Sequence, residues 1–315
     1  MRIIRDPVFI ASDDRGAAAA IGNFDGVHLG HRAVIELTRR VANGAPLGVL
    51  TFEPHPREHF APDAPAFRLM NAEAKANRLA KLGVERLYQV PFNDALAALT
   101  PRDFAQTVIK DRLGLTHVVV GEDFCFGKGR AVRVDDLRTF GAELGFGVTI
   151  APILATEAGD VSSTAIRTAL SDGAPRIAAQ MLGHWHRIEG PVITGEQRGR
   201  DLGFPTANMS INGLHPPKFG VYAVEVDVLE GPHKGAYKGA ASIGVRPMFN
   251  GEIPNCETYL FDFSGDLYGT HLSVALVEYL RGEEKFDSLD ALIAQMDADC
   301  TRARRILARE GSTDV

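Results

Sequence analysis

An α/β domain built on a doubly wound parallel sheet, followed by a small antiparallel β-barrel that ends in a C-terminal helix, is the architecture this sequence predicts. Three observations carry it. Up to about residue 183, short β-branched runs alternate with segments of helical spacing, the rhythm of βα units that feed a parallel sheet. After Gly183 that rhythm stops, and short alternating strands follow one another between turns rich in Gly and Pro, as in a closed antiparallel sheet. The chain then closes on residues 288–309, where Leu289, Leu292, Ile293, Met296, Ile306 and Leu307 form one apolar stripe suited to packing on the barrel. The change of texture predicts two domains, residues 1–183 and 184–315.

In the first domain, a small apolar run at residues 17–21 precedes a Gly-Asn turn, and strands are predicted over 47–52, 86–92, 117–120 and 147–154. Helical spacing covers 32–41 and 101–113, with Thr100 as N-cap and Pro101 at the first helical position. The Pro- and Asp-rich residues 61–66 read as a surface loop. In the second domain, strands are predicted over 191–194, 220–228, 239–245, 256–263 and 272–280.

Composition narrows the function. With 315 residues, 45% hydrophobic and 23% charged, the chain can bury real cores. No apolar stretch approaches the roughly 18 to 20 residues needed to cross a bilayer, and Asp13 and Asp14 interrupt any signal-peptide core after Arg2 and Arg5. A cytoplasmic protein without membrane partners is expected. Cys125, Cys256 and Cys300 lie far apart, so neither a disulfide framework nor a cysteine zinc site is indicated. A net charge of −6 argues against a nucleic-acid surface and leaves a single nucleotide open.

The strongest motif is Gly22-Asn23-Phe24-Asp25-Gly26-Val27-His28-Leu29-Gly30-His31. A strand that ends in Gly-Asn and enters a helix at His-x-Gly-His aims free backbone N–H groups at an anion, most simply a nucleotide phosphate. Asn23 and Gly26 let the backbone turn, Asp25 can hold the loop or meet a metal, and Gly30 permits close approach. His28 and His31, three apart, share a helical face and can stabilise charge on the oxygens of an α-phosphate during nucleotidyl transfer. The competing readings are a structural helix cap and a zinc pair completed by His55 and His59.

Two further segments fit the first. Ser162-Ser163-Thr164-Ala165-Ile166-Arg167 sets three hydroxyls at an N-cap with an arginine one turn inside, which is a phosphate cradle or simply a well-capped helix. Gly121 to Arg130 supplies Phe124 or Phe126 to stack on a planar ring and Lys128 and Arg130 to reach phosphate, unless the aromatics belong to the core.

In the second domain, residues 195–208 combine a glycine-rich turn (Gly195, Gly199, Gly203) and the cations Arg198 and Arg200 with a polar tail, Thr206-Ala207-Asn208. The glycines allow a main-chain nest for phosphate, and Thr206 and Asn208 offer oxygen ligands suited to Mg²⁺. A plain hairpin loop is the alternative. On the strand that follows Cys256, period-2 alternation puts Glu257 with Tyr259, Phe261 and Phe263. An inward carboxylate beside such a loop is a general base for a primary alcohol, whereas an outward one is merely solvated.

Together these segments resemble the bacterial bifunctional riboflavin kinase/FAD synthetases, over nearly the whole chain. The likeness implies a Rossmann-like nucleotidylyltransferase domain, and then a riboflavin-kinase-like barrel with a terminal helix. It rests on the His-x-Gly-His loop, Ser-Ser-Thr-x-x-Arg and Thr51-Phe52-Glu53-Pro54-His55-Pro56 in the first half, and on Gly203-Phe204-Pro205-Thr206-Ala207-Asn208, the Glu257 strand, Asp266-Leu267-Tyr268-Gly269 and Leu280-Arg281-Gly282-Glu283 in the second. It implies that ATP meets Gly22, Asn23, Phe24, Asp25, Gly26, His28, Gly30, His31, Ser162, Ser163, Thr164 and Arg167, with the flavin near Pro54, Pro56, Asp123, Phe124 and Phe126. His28, His31, Ser163 and Arg167 would carry attack of the FMN phosphate on the ATP α-phosphate.

For the barrel the resemblance implies that Gly195, Gly199, Arg200, Gly203, Thr206 and Asn208 hold Mg·ATP, that Glu257 activates riboflavin, and that Tyr259 and Arg304, with Asp299, line the flavin pocket. The implied substrates are ATP, riboflavin and FMN, the cofactor Mg²⁺, and the assembly a monomer or weak homo-oligomer. Departures fall mainly in this half: Ser242 and Met248 replace an amide and a hydroxyl of the family pattern, Cys256 a leucine, and Thr194 a frequent histidine. They leave a monofunctional adenylyltransferase with a flavin-binding barrel as the second reading, and a non-catalytic flavin binder as the third.

Overall fold

The computed structural model describes the whole chain except residues 8, 9, 123, 125–133, 153, 154, 157, 158, 196–202, 249, 250 and 310–315. The chain divides into two compact units, Met1–Ala64 with Lys75–Val161, and Pro65–Ala74 with Ser162–Val315.

The first unit is organised by six parallel strands: β1 (Arg2–Arg5), β2 (Ala18–Ile21), β3 (Leu47–Glu53), β4 (Arg86–Pro91), β5 (His117–Gly121) and β6 (Gly147–Ala151). Their order is β1-β4-β3-β2-β5-β6, and every pairing is parallel. The direction of winding reverses between β2 and β5, so the loop leaving β2 opens at a topological switch point, where ligands of such sheets bind. A two-strand hairpin, β7 (Ala155–Thr156) with β8 (Gly159–Asp160), closes the unit.

Helices α1 (Leu29–Val41), α2 (Pro56–Phe60), α3 (Ala72–Lys81), α4 (Asp94–Ala97), α5 (Pro101–Asp103) and α6 (Val134–Leu144) connect the strands. The Thr100 side chain accepts from the Asp103 N–H, as its place before Pro101 predicts. The helical segment that follows is π-helical over Phe104–Arg112, not α-helical. A spacing of four keeps side chains on one face of either helix type, so Phe104, Ala105, Val108 and Ile109 enter the core in either case, and apolar spacing does not separate them. They pack with Leu50, Phe52, Tyr88, Val118 and Val120, each large apolar side chain contributing about 1.5 to 3 kcal/mol by its burial. The last parallel strand is described to Ala151, with Pro152, which has no N–H for the ladder, after it, and residues 153 and 154 of the expected strand lie outside the described residues.

In the second unit, α7 (Ser163–Ser171) and α8 (Pro175–Leu182), the latter ended by Gly183 at φ 72°, precede six antiparallel strands. These are β9 (His186–Pro191), β10 (Thr206–Ser210), β11 (Gly220–Val228), β12 (Gly235–Met248), β13 (Gly251–Leu260) and β14 (His271–Arg281), in the order β10-β13-β12-β11-β14-β9. The two ends of this order meet through an antiparallel bridge, Ile193 with Asn208, in which the Ile193 N–H donates to the Asn208 carbonyl at 2.8 Å. That bridge closes the sheet into a barrel around Ile188, Met209, Tyr222, Val224, Ile243, Cys256, Val274 and Leu276.

The expected strand over 191–194 is therefore an extension of β9 beyond Pro191, reduced to the single bridge at Ile193. The terminal helix, Leu289–Leu307, is capped by Ser288, whose side chain accepts from the Ala291 N–H, but its apolar contact lies in its second half. Ala303 and Leu307 are buried with Trp185, Phe261 and Val277, and Cys300 and Ile306 pack beside them, whereas Leu289 is 56% exposed. The stripe read from the first turns overestimates the contact there, because the amphipathic pattern outlasts the surface that covers it.

Candidate active sites

The loop after β2 is held in an unusual backbone path. Phe24 and Val27 adopt φ of 51° and 43°, and Gly26 a φ of 87°. A β-branched residue in the left-handed region stores strain, of order 1 to 3 kcal/mol, and such strain collects at functional loops. The loop is retained because its side chains are buried: Phe24, Asp25 and Val27 are inside, and the Thr51 hydroxyl donates to the Asn23 carbonyl at 3.1 Å.

The turn delivers His28 to the N-cap of α1, where its Nδ1 accepts from the His31 backbone N–H at 3.3 Å. An accepting Nδ1 assigns the proton of a neutral ring to Nε2. The His31 ring stacks on that of His28, centroids 3.6 Å apart and planes 16° from parallel, and the Phe24 ring lies tilted against His31 with its centroid 5.1 Å away. Burial, the His28 ring and the Lys75 charge together hold the His31 imidazole well below its ordinary pKa, so it rests uncharged. Its Nδ1 is buried without a hydrogen-bond partner. Gly30 eases this approach, since a Cβ there would sit 3.1 Å from the His28 ring and push it by a few tenths of an ångström. Two adjacent imidazoles at a helix N-terminus, one with an orphaned ring nitrogen, form an arrangement that could receive an anion.

The zinc alternative is overturned by the same geometry. His55 is spent on the N-cap of α2, accepting from the Arg57 N–H at 3.1 Å, and His59 lies 3.0 Å from Asp94. Among the described residues no cluster of three or more His, Cys, Asp or Glu side chains could hold a metal ion. Pro54 and Pro56 bracket His55 between β3 and α2. Phe124 is half-buried and packs on the first unit's core, while Asp123, Phe126, Lys128 and Arg130 lie outside the described residues.

Sequence reasoning missed Lys75. It is 1% exposed, and its ammonium donates to Glu53 Oε1 at 2.9 Å and to Thr51 Oγ1 at 3.3 Å. A lysine inside the charged helix Ala72–Lys81 reads locally as a solvated cation, and no nearby pattern marks it as buried.

In the second unit, Ser162 is the N-cap of α7, its Oγ accepting from the Ala165 N–H at 3.2 Å, with Ser163 and Thr164 in the first turn. The Arg167 guanidinium donates through Nε to the Phe67 carbonyl at 2.5 Å and lies 5.3 Å from that ring's centroid.

The barrel assembles its candidate site by strand register. Asn208 of β10 and Ser242 of β12 are both cross-strand partners of Glu257, and Thr206 and Ala240 are both partners of Tyr259. Directly opposed residues of antiparallel strands project from one face, so Thr206, Asn208, Glu257 and Tyr259 share it. That face is not the barrel core, which takes Cys256, Thr258 and Leu260 from the other side of β13. Glu257 is accordingly half-buried, and Asn255 donates to its Oε1 at 3.3 Å. Cys256 is fully buried and its thiol is pushed up to about 11 by burial, so replacing the family leucine there changes core packing and leaves the Glu257 face untouched.

Gly195 lies directly against this face: a Cβ on it would come 2.4 Å from the Asn208 amide nitrogen. Gly203, at φ 85°, turns the chain into β10, and the buried Phe204 meets Tyr259 edge-on at 5.3 Å. Gly199 and Arg200 lie outside the described residues. Tyr259 and Arg304 are linked through Phe261, which stands 5.9 Å from the Tyr259 ring and carries the Arg304 guanidinium 4.2 Å above its centroid. Arg304 also makes a bidentate pair with Asp262 at 2.7 and 2.9 Å. The buried Asp299 is clamped by Arg281 at 2.8 Å. Met248 ends β12 opposite Gly251.

Comparison with known proteins places both halves. A family model described as FAD synthetase matches residues 10–165, and one described as riboflavin kinase matches residues 182–307. A bifunctional riboflavin kinase/FMN adenylyltransferase from Pseudomonas fluorescens is 39% identical over 311 residues, which are 98% of each chain. The chain belongs to the bifunctional riboflavin kinase/FMN adenylyltransferase family. Members so described from Escherichia coli K12, 39% identical over 92% of each chain, and Bacillus subtilis, 36% identical over 94% of each, are also similar to it. A crystal structure described as a macrolide-efflux protein from Streptococcus pneumoniae shares the fold, with a TM-score of 0.82 and 31% identity over 98% of this chain and 99% of that one. Among the described residues no helix is long and apolar enough to cross a membrane. The FAD synthetase match spans β2 to β6 of the parallel sheet with the His28 loop, and the riboflavin kinase match spans the barrel with Glu257 and the terminal helix.

Proposed function

We propose that the chain makes FAD in two steps, each at its own site. In the barrel half, residues 184–315, riboflavin and ATP give FMN and ADP. In the α/β half, residues 1–183, FMN and a second ATP give FAD and pyrophosphate. The observation that carries this reading is the presence in one chain of both matched segments, each with a polar constellation suited to its step.

In the kinase step Glu257 takes the proton from the riboflavin 5′-hydroxyl as its oxygen bonds to the γ-phosphorus and the bond to the ADP oxygen breaks. Asn255 donates to one Glu257 oxygen at 3.3 Å and so helps to orient the carboxylate. Gly195, Gly199, Arg200 and Gly203 receive the phosphates, and Tyr259 and Arg304 border the flavin. Thr206 and Asn208 are hard oxygen donors on one face beside Glu257, a set that fits Mg²⁺. Bound there with ATP, the ion would neutralise phosphate oxygens.

In the adenylyl step an oxygen of the FMN phosphate attacks the α-phosphorus and pyrophosphate leaves, with no covalent enzyme intermediate. His28, His31 and the first N–H groups of α1 stabilise charge on the α-phosphate oxygens. Ser162, Ser163, Thr164 and Arg167 hold the rest of ATP, and Pro54, Pro56, Asp123, Phe124 and Phe126 border the flavin. We assign the protein to the cytoplasm, as a monomer or weak homo-oligomer without nucleic-acid or membrane partners.

The test is a product assay with purified protein, riboflavin, Mg²⁺ and ATP. FMN should appear first and FAD after it. Formation of FAD from added FMN, with neither product from riboflavin, would overturn the bifunctional reading.

A further inference from the structure

The buried ammonium of Lys75 is the feature of the first unit that the proposed chemistry does not use. Burying a lone ammonium costs several kcal/mol, and an apolar side chain of similar length would fill the same space without that cost. Its retention needs a reason beyond packing. Its contacts supply one: the ammonium donates to Glu53 Oε1 and to Thr51 Oγ1, and the Thr51 hydroxyl in turn donates to the Asn23 carbonyl. One charge therefore fixes two segments, the strained loop that leads from β2 to His28 and the C-terminal end of β3 that leads into Pro54 and Pro56.

We infer that Lys75 is a positioning residue for adenylyl transfer, tying the phosphate loop at Asn23 to the β3 end at Glu53 so that the two imidazoles are held ready for the α-phosphate. The inference rests on the proposed reading of His28 and His31. Because its ammonium is buried rather than hydrated, it also adds positive potential beneath the loop where a polyphosphate would dock. The same charge contributes to keeping the His31 imidazole neutral before the nucleotide arrives.

The test compares the intact enzyme with the Lys75→Met/Glu53→Gln double variant, in which both charges are removed together so that no unpaired ion is left in the core. Lys75→Gln alone is a second variant. Steady-state adenylylation of FMN is measured against ATP concentration, with riboflavin phosphorylation in the same preparation as the control for folding of the other half. The expected result for the double variant is a rise of about 10-fold or more in KM for ATP in adenylylation together with a fall in kcat, while both constants of the kinase step stay unchanged. A merely structural role would lower the active fraction and so kcat, leaving KM alone. An unchanged KM for ATP in either folded variant would overturn the inference. Wild-type adenylylation in a His28→Ala protein would instead remove the site reading beneath it, whatever Lys75 does.

Discussion

The two candidate sites are built by opposite strategies. The adenylylation site is local: ten consecutive residues, Gly22 to His31, carry the turn, the N-cap, both imidazoles and the close glycine. The kinase site is distributed: Gly195, Asn208, Ser242 and Glu257 are far apart in sequence and are brought together by the register of β10, β12 and β13 and by the bridge that closes the barrel. The first site is held by buried side chains under a strained loop, the second by main-chain ladders that any side chain can occupy. It follows that the first should be sensitive to what lies beneath the loop, and the second to whatever disturbs register or face.

Short of abolishing a step outright, the largest expected effect tests the distributed site. Replacing Asn208 by Leu removes an amide that faces Glu257 without touching the backbone bridge, and riboflavin phosphorylation should fall by about 100-fold or more, as for loss of one group that stabilises a transition state. FMN adenylylation by the same protein should be unchanged, and a parallel loss of both would show that the sites are not independent. Next is Gly195→Ala, whose Cβ would lie 2.4 Å from the Asn208 amide nitrogen. Displacing that amide should cost the kinase step about 10-fold, read as kcat/KM for riboflavin.

An intermediate effect concerns stability. His186 of β9 is buried and its pKa is lowered from 6.5 to about 3, chiefly by burial and further by His184 and His215. The native ring stays neutral while the unfolded one binds a proton below pH 6.5, so stability is lost as pH falls through the window from 6.5 to about 3. The loss should be about 1.4 kcal/mol per pH unit well inside that window. Urea unfolding of the full chain at several pH values checks it, and His186→Gln should flatten the slope of the barrel's transition. The smallest effect sharpens the local site: Gly30→Ala would place a Cβ 3.1 Å from the His28 ring, and a shift of a few tenths of an ångström there should slow adenylylation by less than about 10-fold.

The difference in construction also explains what could be read from the chain. The β2 loop was legible because its geometry is encoded where it occurs, in Gly-Asn before His-x-Gly-His, and the structure stacks the two rings that spacing put on one face. The Thr100 cap and the strand Gly220–Val228 were equally local and equally legible. Period-2 alternation put Glu257 and Tyr259 on one face, but which face is the core depends on partner strands, and the core took Cys256 and Leu260 instead. Lys75 was invisible because burial of a helical lysine is decided by Thr51 and Glu53 across the fold, not by its neighbours in sequence.

The central claim is that one chain carries two separable sites, and the most direct measurement is the product pattern of two variants given riboflavin, Mg²⁺ and ATP. His28→Ala should accumulate FMN and stop. Glu257→Gln should form neither product from riboflavin, yet convert added FMN to FAD at the rate of the intact enzyme. Loss of both steps in each variant would contradict the account.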